Sequence, residues 1–280
     1  MIRVFRLLRY CPSLIWRLRY FKKFGGLLHI RKPRNLYEKI VQLSLAYDKN
    51  TWPVLADKYR VRDYIKDRIG DRYLNELYGR YDNANDVDFD ALPESFVLKT
   101  NNGCGTNIIV KDKSKLDRDA ARKRLKYWLR YPYGELTGQL HYAHISPCII
   151  AEKYLVQSNG DKGLTDYKFF CVDGVPKYVF VETDRVVNDH IFRAMAFDMD
   201  WVARPELVNP TIVLTEYPER PESFDEMKDI VARLAQPFKF VRIDFYEIDG
   251  RPIFGEYTFT PTVLDTMSTA CQEEIYEYIR

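Results

Sequence analysis

The sequence predicts an α+β protein in which a mainly helical stretch precedes strands joined largely by hairpins. Apolar residues recur at helical spacing in Asn35 to Ala46 and Val54 to Ile69, with Gly70 where a C-terminal cap belongs. From Phe96 the pattern changes to short strand-like runs: Phe96 to Lys99, Asn107 to Lys111, Cys148 to Leu155, Tyr167 to Val172, Pro176 to Glu182, Phe238 to Tyr246 and Pro252 to Phe259. Helices intervene at about Lys115 to Leu129 and Ser223 to Leu234, too few for a regular βαβ alternation. Two Asp-Gly pairs, Asp173-Gly174 and Asp249-Gly250, sit between strand-like runs and signal hairpins.

At 280 residues, with 46% hydrophobic and 15% aromatic content, the chain can bury a substantial core. Its net charge of +3 hides an asymmetry. Residues 1 to 37 hold ten of the 43 Lys and Arg and none of the 40 acids, so the remainder is acidic. Five cysteines, Cys11, Cys104, Cys148, Cys171 and Cys271, show no CxxC spacing, which argues against a disulfide framework and structural zinc and for a reducing cytoplasm.

No apolar run reaches the roughly 20 residues that span a bilayer, because Arg3, Arg6, Arg9, Pro12, Arg17 and Arg19 interrupt the leader. Residues 1 to 23 interleave Leu, Ile, Phe and Trp with bases. That composition suits an anionic membrane surface, such as the inner face of the plasma membrane, or else a first helix packed on the body with its arginines in solvent. A nucleic-acid partner is disfavoured, because the positive charge does not continue into the body.

Lys99 ends a strand-like run and is followed by the small-residue loop Asn101-Asn102-Gly103-Cys104-Gly105-Thr106. Backbone N–H groups of such a loop can approach phosphate oxygens, although Asn-Gly is also an ordinary hairpin turn. The loop matches neither of the common glycine-rich nucleotide motifs. Ile149 to Leu155 is an apolar run that turns polar at Glu152, Lys153 and Tyr154, as the edge of a purine slot requires. Lys168 lies among aromatic neighbours on the face it shares with Asp166 and Phe170, either at a sheet edge or aimed at an anion such as phosphate.

The sharpest feature is the pair Arg242-Ile243-Asp244-Phe245-Tyr246 and Phe254-Gly255-Glu256-Tyr257-Thr258 around Asp249-Gly250. A three-residue loop, Asp249 to Arg251, sets Asp244 opposite Glu256 and Arg242 opposite Thr258, whereas a two-residue loop puts the acids on opposite faces. Carboxylates facing each other at roughly 5 Å are destabilising unless a cation lies between them, and oxygen ligands on adjacent strands suit Mg²⁺ shared with nucleotide phosphates.

In order along the chain, these segments resemble the ATP-grasp superfamily and, within it, the TupA-like branch associated with surface-polysaccharide and teichuronopeptide synthesis. The resemblance runs from about Pro33 to Pro261 and rests on Ala56 to Tyr64, Leu92 to Lys99, Asp166 to Phe170 and Gly255 to Pro261. It implies two α+β lobes gripping ATP, 93–155 and 156–280, after a basic leader over 1–30 and a helical region over 31–92. It further implies that Lys58 and Lys99 contact phosphates, that Asn101 to Thr106 is a flap over them, and that Glu152, Lys153 and Leu155 hold adenine. Asp244 and Glu256 correspond to metal-binding acids, and Thr258 stands where many members carry Asn. The implied reaction joins a carboxylate to an amine through an acyl phosphate, such as an amino acid to a uronic acid, with Arg242, Arg185, His190 and Arg193 as candidates for holding the carboxylate.

A glycosyltransferase or a sugar kinase of the same pathway is the rival reading. Asp86-Val87-Asp88-Phe89-Asp90 and Asp198-Met199-Asp200 have the acid spacing used with nucleotide sugars, and also the composition of surface turns.

Overall fold

The computed structural model describes residues 11–157, 163–186 and 191–280. The chain divides into two units. One comprises Met1–Leu28, Tyr47–Tyr64 and Leu74–Tyr154; the other comprises His29–Ala46, Ile65–Tyr73 and Leu155–Arg280.

In the first unit β1 (Leu77–Tyr81), β2 (Phe96–Thr100), β3 (Asn107–Val110) and β4 (Ile149–Lys153) form an antiparallel sheet in the order β1-β4-β2-β3. Phe96, Leu98, Ile149 and Ala151 alternate onto one face and pack with Phe89, Leu92, Ala121 and Leu125, the last two on the helix Arg118–Arg130. Asp117 caps that helix by accepting the Ala120 N–H at 2.9 Å. The opposite face is left to Val97, Lys99, Ile150 and Glu152. Strand β1 arises within the region expected to be helical, at the sheet edge and with a register shift between Leu77 and Gly79.

The helix expected over Val54 to Ile69 is two, Trp52–Leu55 and Val61–Ile69. The Asp57 carboxylate accepts the N–H groups of Tyr59 and Arg60 at 2.8 and 3.1 Å, a local arrangement that competes with helix and turns the chain. The leader helix Pro12–Phe24 packs on its own unit through buried Ile15, Trp16 and Tyr20, and Trp16 Nε1 donates to the Gly138 carbonyl at 2.9 Å. Among the described residues no helix is long and apolar enough to cross a membrane.

The second unit is built on β5 (Asp166–Val172), β6 (Val175–Val186), β7 (Ile191–Phe197), β8 (Phe240–Ile248) and β9 (Arg251–Thr258), antiparallel in the order β7-β6-β5-β8-β9. Both Asp-Gly pairs close two-residue turns, with φ of 48° and 75° at Asp173 and Gly174 and 51° and 71° at Asp249 and Gly250. Positive φ at both positions matches the strand twist.

One face of this sheet meets the helix Phe224–Leu234, where Phe169 stacks on Phe224 and the Tyr257 hydroxyl donates to the Leu234 carbonyl at 2.9 Å. On the other face Phe170, Tyr178, Phe180 and Phe240 pack with Leu36, Ile40, Cys271, Ile275 and Ile279 from the helices Leu36–Leu45 and Thr269–Ile279. Period-two alternation carries this second face onward into charge: Asp166 and Lys168 on β5, Glu182 on β6, Arg242 and Asp244 on β8, Glu256 and Thr258 on β9.

Candidate active site

Asp244 stands opposite Glu256 and Arg242 opposite Thr258, the expected register reached by a different route. The loop has two residues, since Ile248 pairs with Arg251, and that alone would put the acids on opposite faces. The register shifts between Asp244 and Phe245, which leaves Gly255 as an extra residue on β9 and brings Glu256 back to the face of Asp244.

The cation between these carboxylates is the guanidinium of Arg242. It donates from Nε and Nη2 to the two oxygens of Asp244, 2.7 Å each, and from Nη2 also to Glu256 Oε1 at 3.0 Å and Thr258 Oγ1 at 3.1 Å. Facing acids on this hairpin are therefore compatible with a protein cation, and the repulsion argument does not by itself require a metal. Lys168 adds a second charge. Its Nζ lies 3.2 Å from Glu182, 3.5 Å from Asp244 and 3.6 Å from Asp166, buried among carboxylates. Burial works against both cations, but the carboxylates around them outweigh it. Asp244 and Glu256 hold the Arg242 pKa above its ordinary value, and Asp166, Asp244 and Glu182 do the same for Lys168.

Asp244, Glu256 and Thr258 converge on one guanidinium nitrogen and offer only oxygen atoms, a donor chemistry that fits a hard cation. Among the described residues no three His, Cys, Asp or Glu side chains are gathered as a metal cluster. Magnesium needs only one or two carboxylates when phosphates complete its shell, so the donor set fits Mg²⁺ held jointly with a nucleotide.

In the first unit the turn fixed by Asp57 presents Lys58, whose Nζ donates to the Gly103 carbonyl at 2.5 Å and whose backbone N–H donates to the Asn101 carbonyl at 3.1 Å. The loop is tucked inward: Asn101, Asn102, Gly103 and Thr106 are buried, while Cys104 and Gly105 are exposed. Asn101 fastens it by donating from Nδ2 to the Ser146 carbonyl at 3.1 Å and accepting the Cys148 N–H on Oδ1 at 2.8 Å. The Thr100 and Thr106 hydroxyls meet at 2.8 Å, and Cys104 Sγ lies 3.0 Å from the Tyr133 hydroxyl. Gly103 is required twice over, by its φ of 92° and because a Cβ there would come within 2.7 Å of the Tyr133 ring.

Lys99 Nζ lies 2.5 Å from Glu152 Oε2, and Arg62 Nη1 lies 3.2 Å from Glu152 Oε1. Glu152 thus gathers two cations on the face left free by the core. Lys153 ends β4 with its N–H donated to the Glu76 carbonyl at 3.0 Å and its carbonyl accepting Asn75 Nδ2 at 2.9 Å; Tyr154 and Leu155 follow at the junction of the two units.

Of the candidate carboxylate-holding residues whose side chains are described, Arg242 is the one that stands on the charged face. Arg193 pairs with Thr183, one residue beyond Glu182, so its register puts it on the other face, and its Nη1 donates to the Thr211 carbonyl at 3.2 Å. His190 and the side chain of Arg185 lie outside the described residues. Arg62, Asp166 and Glu182 join the two clusters without having been singled out as site residues from the sequence. Only Asp166 had a signal, its shared alternation with Lys168.

The acid spacings of the rival reading serve turns. Asp88 Oδ1 accepts the N–H groups of Asp90 and Ala91 at 3.0 and 3.2 Å, Asp90 pairs with Arg118 at 2.8 Å, and Asp198 Oδ1 accepts those of Asp200 and Val202 at 2.9 Å each.

The family described as TupA-like ATPgrasp matches residues 38–279. Among solved structures, the chain is similar to a D-alanine–D-alanine ligase from Bacillus anthracis complexed with ATP, at 14% identity and a TM-score of 0.46, covering 81% of this chain and 65% of that one. It is also similar to an L-amino acid ligase from Bacillus licheniformis, at 11% identity and a TM-score of 0.49, covering 89% of this chain and 54% of that one. The chain therefore spans less than two thirds of either. No curated protein matches it at a significant level.

Proposed function

Because the chain belongs to the TupA-like ATP-grasp family and has the ATP-grasp fold, we propose that it is an ATP-dependent ligase that joins a carboxylate to an amine. The observation that carries this reading is the convergence of Asp244, Glu256 and Thr258 on Arg242 at one end of the five-stranded sheet.

In the proposed reaction an oxygen of the substrate carboxylate attacks the γ-phosphorus of ATP, ADP departs, and an acyl phosphate results. The amine then attacks the acyl carbon, loses a proton, and expels phosphate to leave the amide. Lys58 and Lys99 offset negative charge on the phosphates, with Gly103 and its neighbours offering backbone N–H groups. Glu152, Lys153, Tyr154 and Leu155 border the adenine. Arg242, with Arg185 and His190, orients the carboxylate, and Lys168 holds Asp244 in place through their 3.5 Å contact. Asp244, Glu256 and Thr258 would hold Mg²⁺, which when bound supplies charge neutralisation at the β- and γ-phosphates.

The pairing of lobes 93–155 and 156–280, cytoplasmic location, association of residues 1–23 with an anionic membrane and a place in surface-polysaccharide synthesis complete the reading. An amino acid as acyl donor or amine and a uronic acid as partner are the substrates it favours. Purified protein with ATP and Mg²⁺, supplied with amino acids and uronic acids singly and in pairs, should release ADP only with a matching pair. The product mass should equal the two substrates less water. ADP release without an amine, giving a phosphorylated sugar, would replace this reading with a kinase.

A further inference from the structure

Two helices of the first unit carry faces that its core does not use. Pro12–Phe24 turns Ile15, Trp16 and Tyr20 inward, while on its opposite side Leu14, Leu18 and Phe21, at i, i+4 and i+7, are 46%, 61% and 62% exposed. Arg17 and Lys22 flank that stripe, and the helix holds no acid. Single exposed apolar residues are ordinary, but three in line between bases are a surface.

Arg118–Arg130 buries Ala121 and Leu125 and lines up Lys123, Lys126, Tyr127 and Arg130 on its outer side, again at i, i+3, i+4 and i+7. All four are exposed, Tyr127 by 61%. Asp119 is the acid on this side. Arg118 is neutralised by Asp90 and Arg122 donates to the Val87 carbonyl, but among the described residues no carboxylate pairs with Lys123, Lys126 or Arg130. Like charges at these spacings repel, so the stripe is a cost to the isolated helix that an anionic partner removes. Both helices belong to the first unit, and the leader helix is fastened to the end of the short helix Tyr133–Thr137 that follows Arg118–Arg130 in the chain: Arg19 Nη1 donates to the Thr137 carbonyl at 2.7 Å and Trp16 Nε1 to that of Gly138 at 2.9 Å.

We propose that the two stripes together form the docking surface for an anionic lipid bilayer, with Leu14, Leu18 and Phe21 entering the boundary below the headgroups and Lys123, Lys126 and Arg130 held by lipid phosphates. A nucleic acid has no use for the Leu and Phe stripe. A second copy of the helix would set Arg17 and Lys22 against their own kind. An amphipathic basic helix with a separate basic patch is what an acidic membrane selects, and Tyr127 suits the interface. The inference rests on the membrane part of the proposed function, not on its ligase chemistry, and adds to it a second helix from the body of the unit.

The full chain should co-sediment with vesicles of phosphatidylcholine and phosphatidylglycerol but not with phosphatidylcholine alone, and less so as salt rises. Leu18→Gln with Phe21→Gln, and separately Lys123→Gln, Lys126→Gln and Arg130→Gln together, should each lower partitioning by at least about tenfold at low ionic strength. Both changes are at exposed positions, so ATP affinity should be unchanged and serves as the check on folding. The proposal is overturned by absence of binding to the acidic vesicles, by equal binding to both lipid mixtures, or by loss in one variant alone. It is overturned equally if the first variant alters oligomeric state while vesicle binding persists, or if the second releases single-stranded nucleic acid while vesicle binding persists. Ligase activity without vesicle binding would separate this failure from that of the catalytic reading.

Discussion

Arg242 grips Asp244 two residues away along the same strand with two parallel hydrogen bonds of 2.7 Å. The grip closes over a carboxylate that is 3% exposed and that also faces Glu256. Removing one partner of a buried pair costs roughly 3 kcal/mol or more, because the other charge is stranded. Arg242→Met should therefore destabilise the protein by about that amount. Magnesium should restore part of the loss by taking the guanidinium's place between the acids. Urea unfolding with and without Mg²⁺ measures both; equal losses in the two conditions would argue against a cation site at the hairpin.

Asp244→Asn should abolish turnover with Mg²⁺ and ATP. Its effect on stability follows from the cations. If the facing acids stood alone, neutralising one would stabilise the hairpin. Asp244 instead answers Arg242 at 2.7 Å and Lys168 at 3.5 Å, so the change should destabilise by about 2–4 kcal/mol. Chemical denaturation gives the sign, and a more stable variant would contradict the ion-pair account.

Lys58→Ala and Lys99→Ala should each weaken ATP binding by roughly ten- to a hundredfold, the value of a charged hydrogen bond. Lys58 also closes the loop through the Gly103 carbonyl, so its loss should speed proteolysis at Cys104 and Gly105, whereas the loss of Lys99 should not. Calorimetric titration with ATP and limited proteolysis separate the two effects.

Stability should fall in mild acid because of His141. Burial pushes its imidazole down from the ordinary 6.5 to about 3, so the folded protein holds it neutral while the unfolded chain takes up a proton. The contribution is complete above pH 6.5 and lost as pH falls from there toward 3, up to roughly 5 kcal/mol. His141→Leu should flatten this limb of the stability profile, as read by thermal unfolding across that range. An unchanged slope would mean that the imidazole is not what titrates.

The strands that bear the site were legible as short runs rich in aromatic and β-branched residues bounded by turn signals, and the hairpins because Asp-Gly favours positive φ at both turn positions. Strand β1, Leu-Tyr-Gly-Arg-Tyr, was not legible: a central glycine and an edge position leave little pattern. Strand β7 reads Ile-Phe-Arg-Ala-Met-Ala-Phe, an apolar run without clean alternation, and becomes a strand through its pairing with β6. The facing of Asp244 and Glu256 was expected from a longer loop, because a bulge leaves no mark of its own in composition. The cations at these acids were the harder part. Lys168 meets Glu182 only because β6 lies beside β5, and Arg62 meets Glu152 across 90 residues of sequence, after the turn fixed by Asp57.

The extra residue at Gly255 makes this hairpin unequal in its tolerance of sequence length. Eleven residues separate Asp244 from Glu256, an odd number spanned by an even turn, so one residue must stay out of the ladder. Excising Gly255 alone would straighten β9 and still leave the glutamate opposite the aspartate. Excising Ile253 or Phe254 while the kink stays at Gly255 would shift every side chain before it to the wrong side of the sheet. Drift in the length of this segment can therefore be absorbed at Gly255, where the strand already carries its spare residue and the acid pair survives the loss.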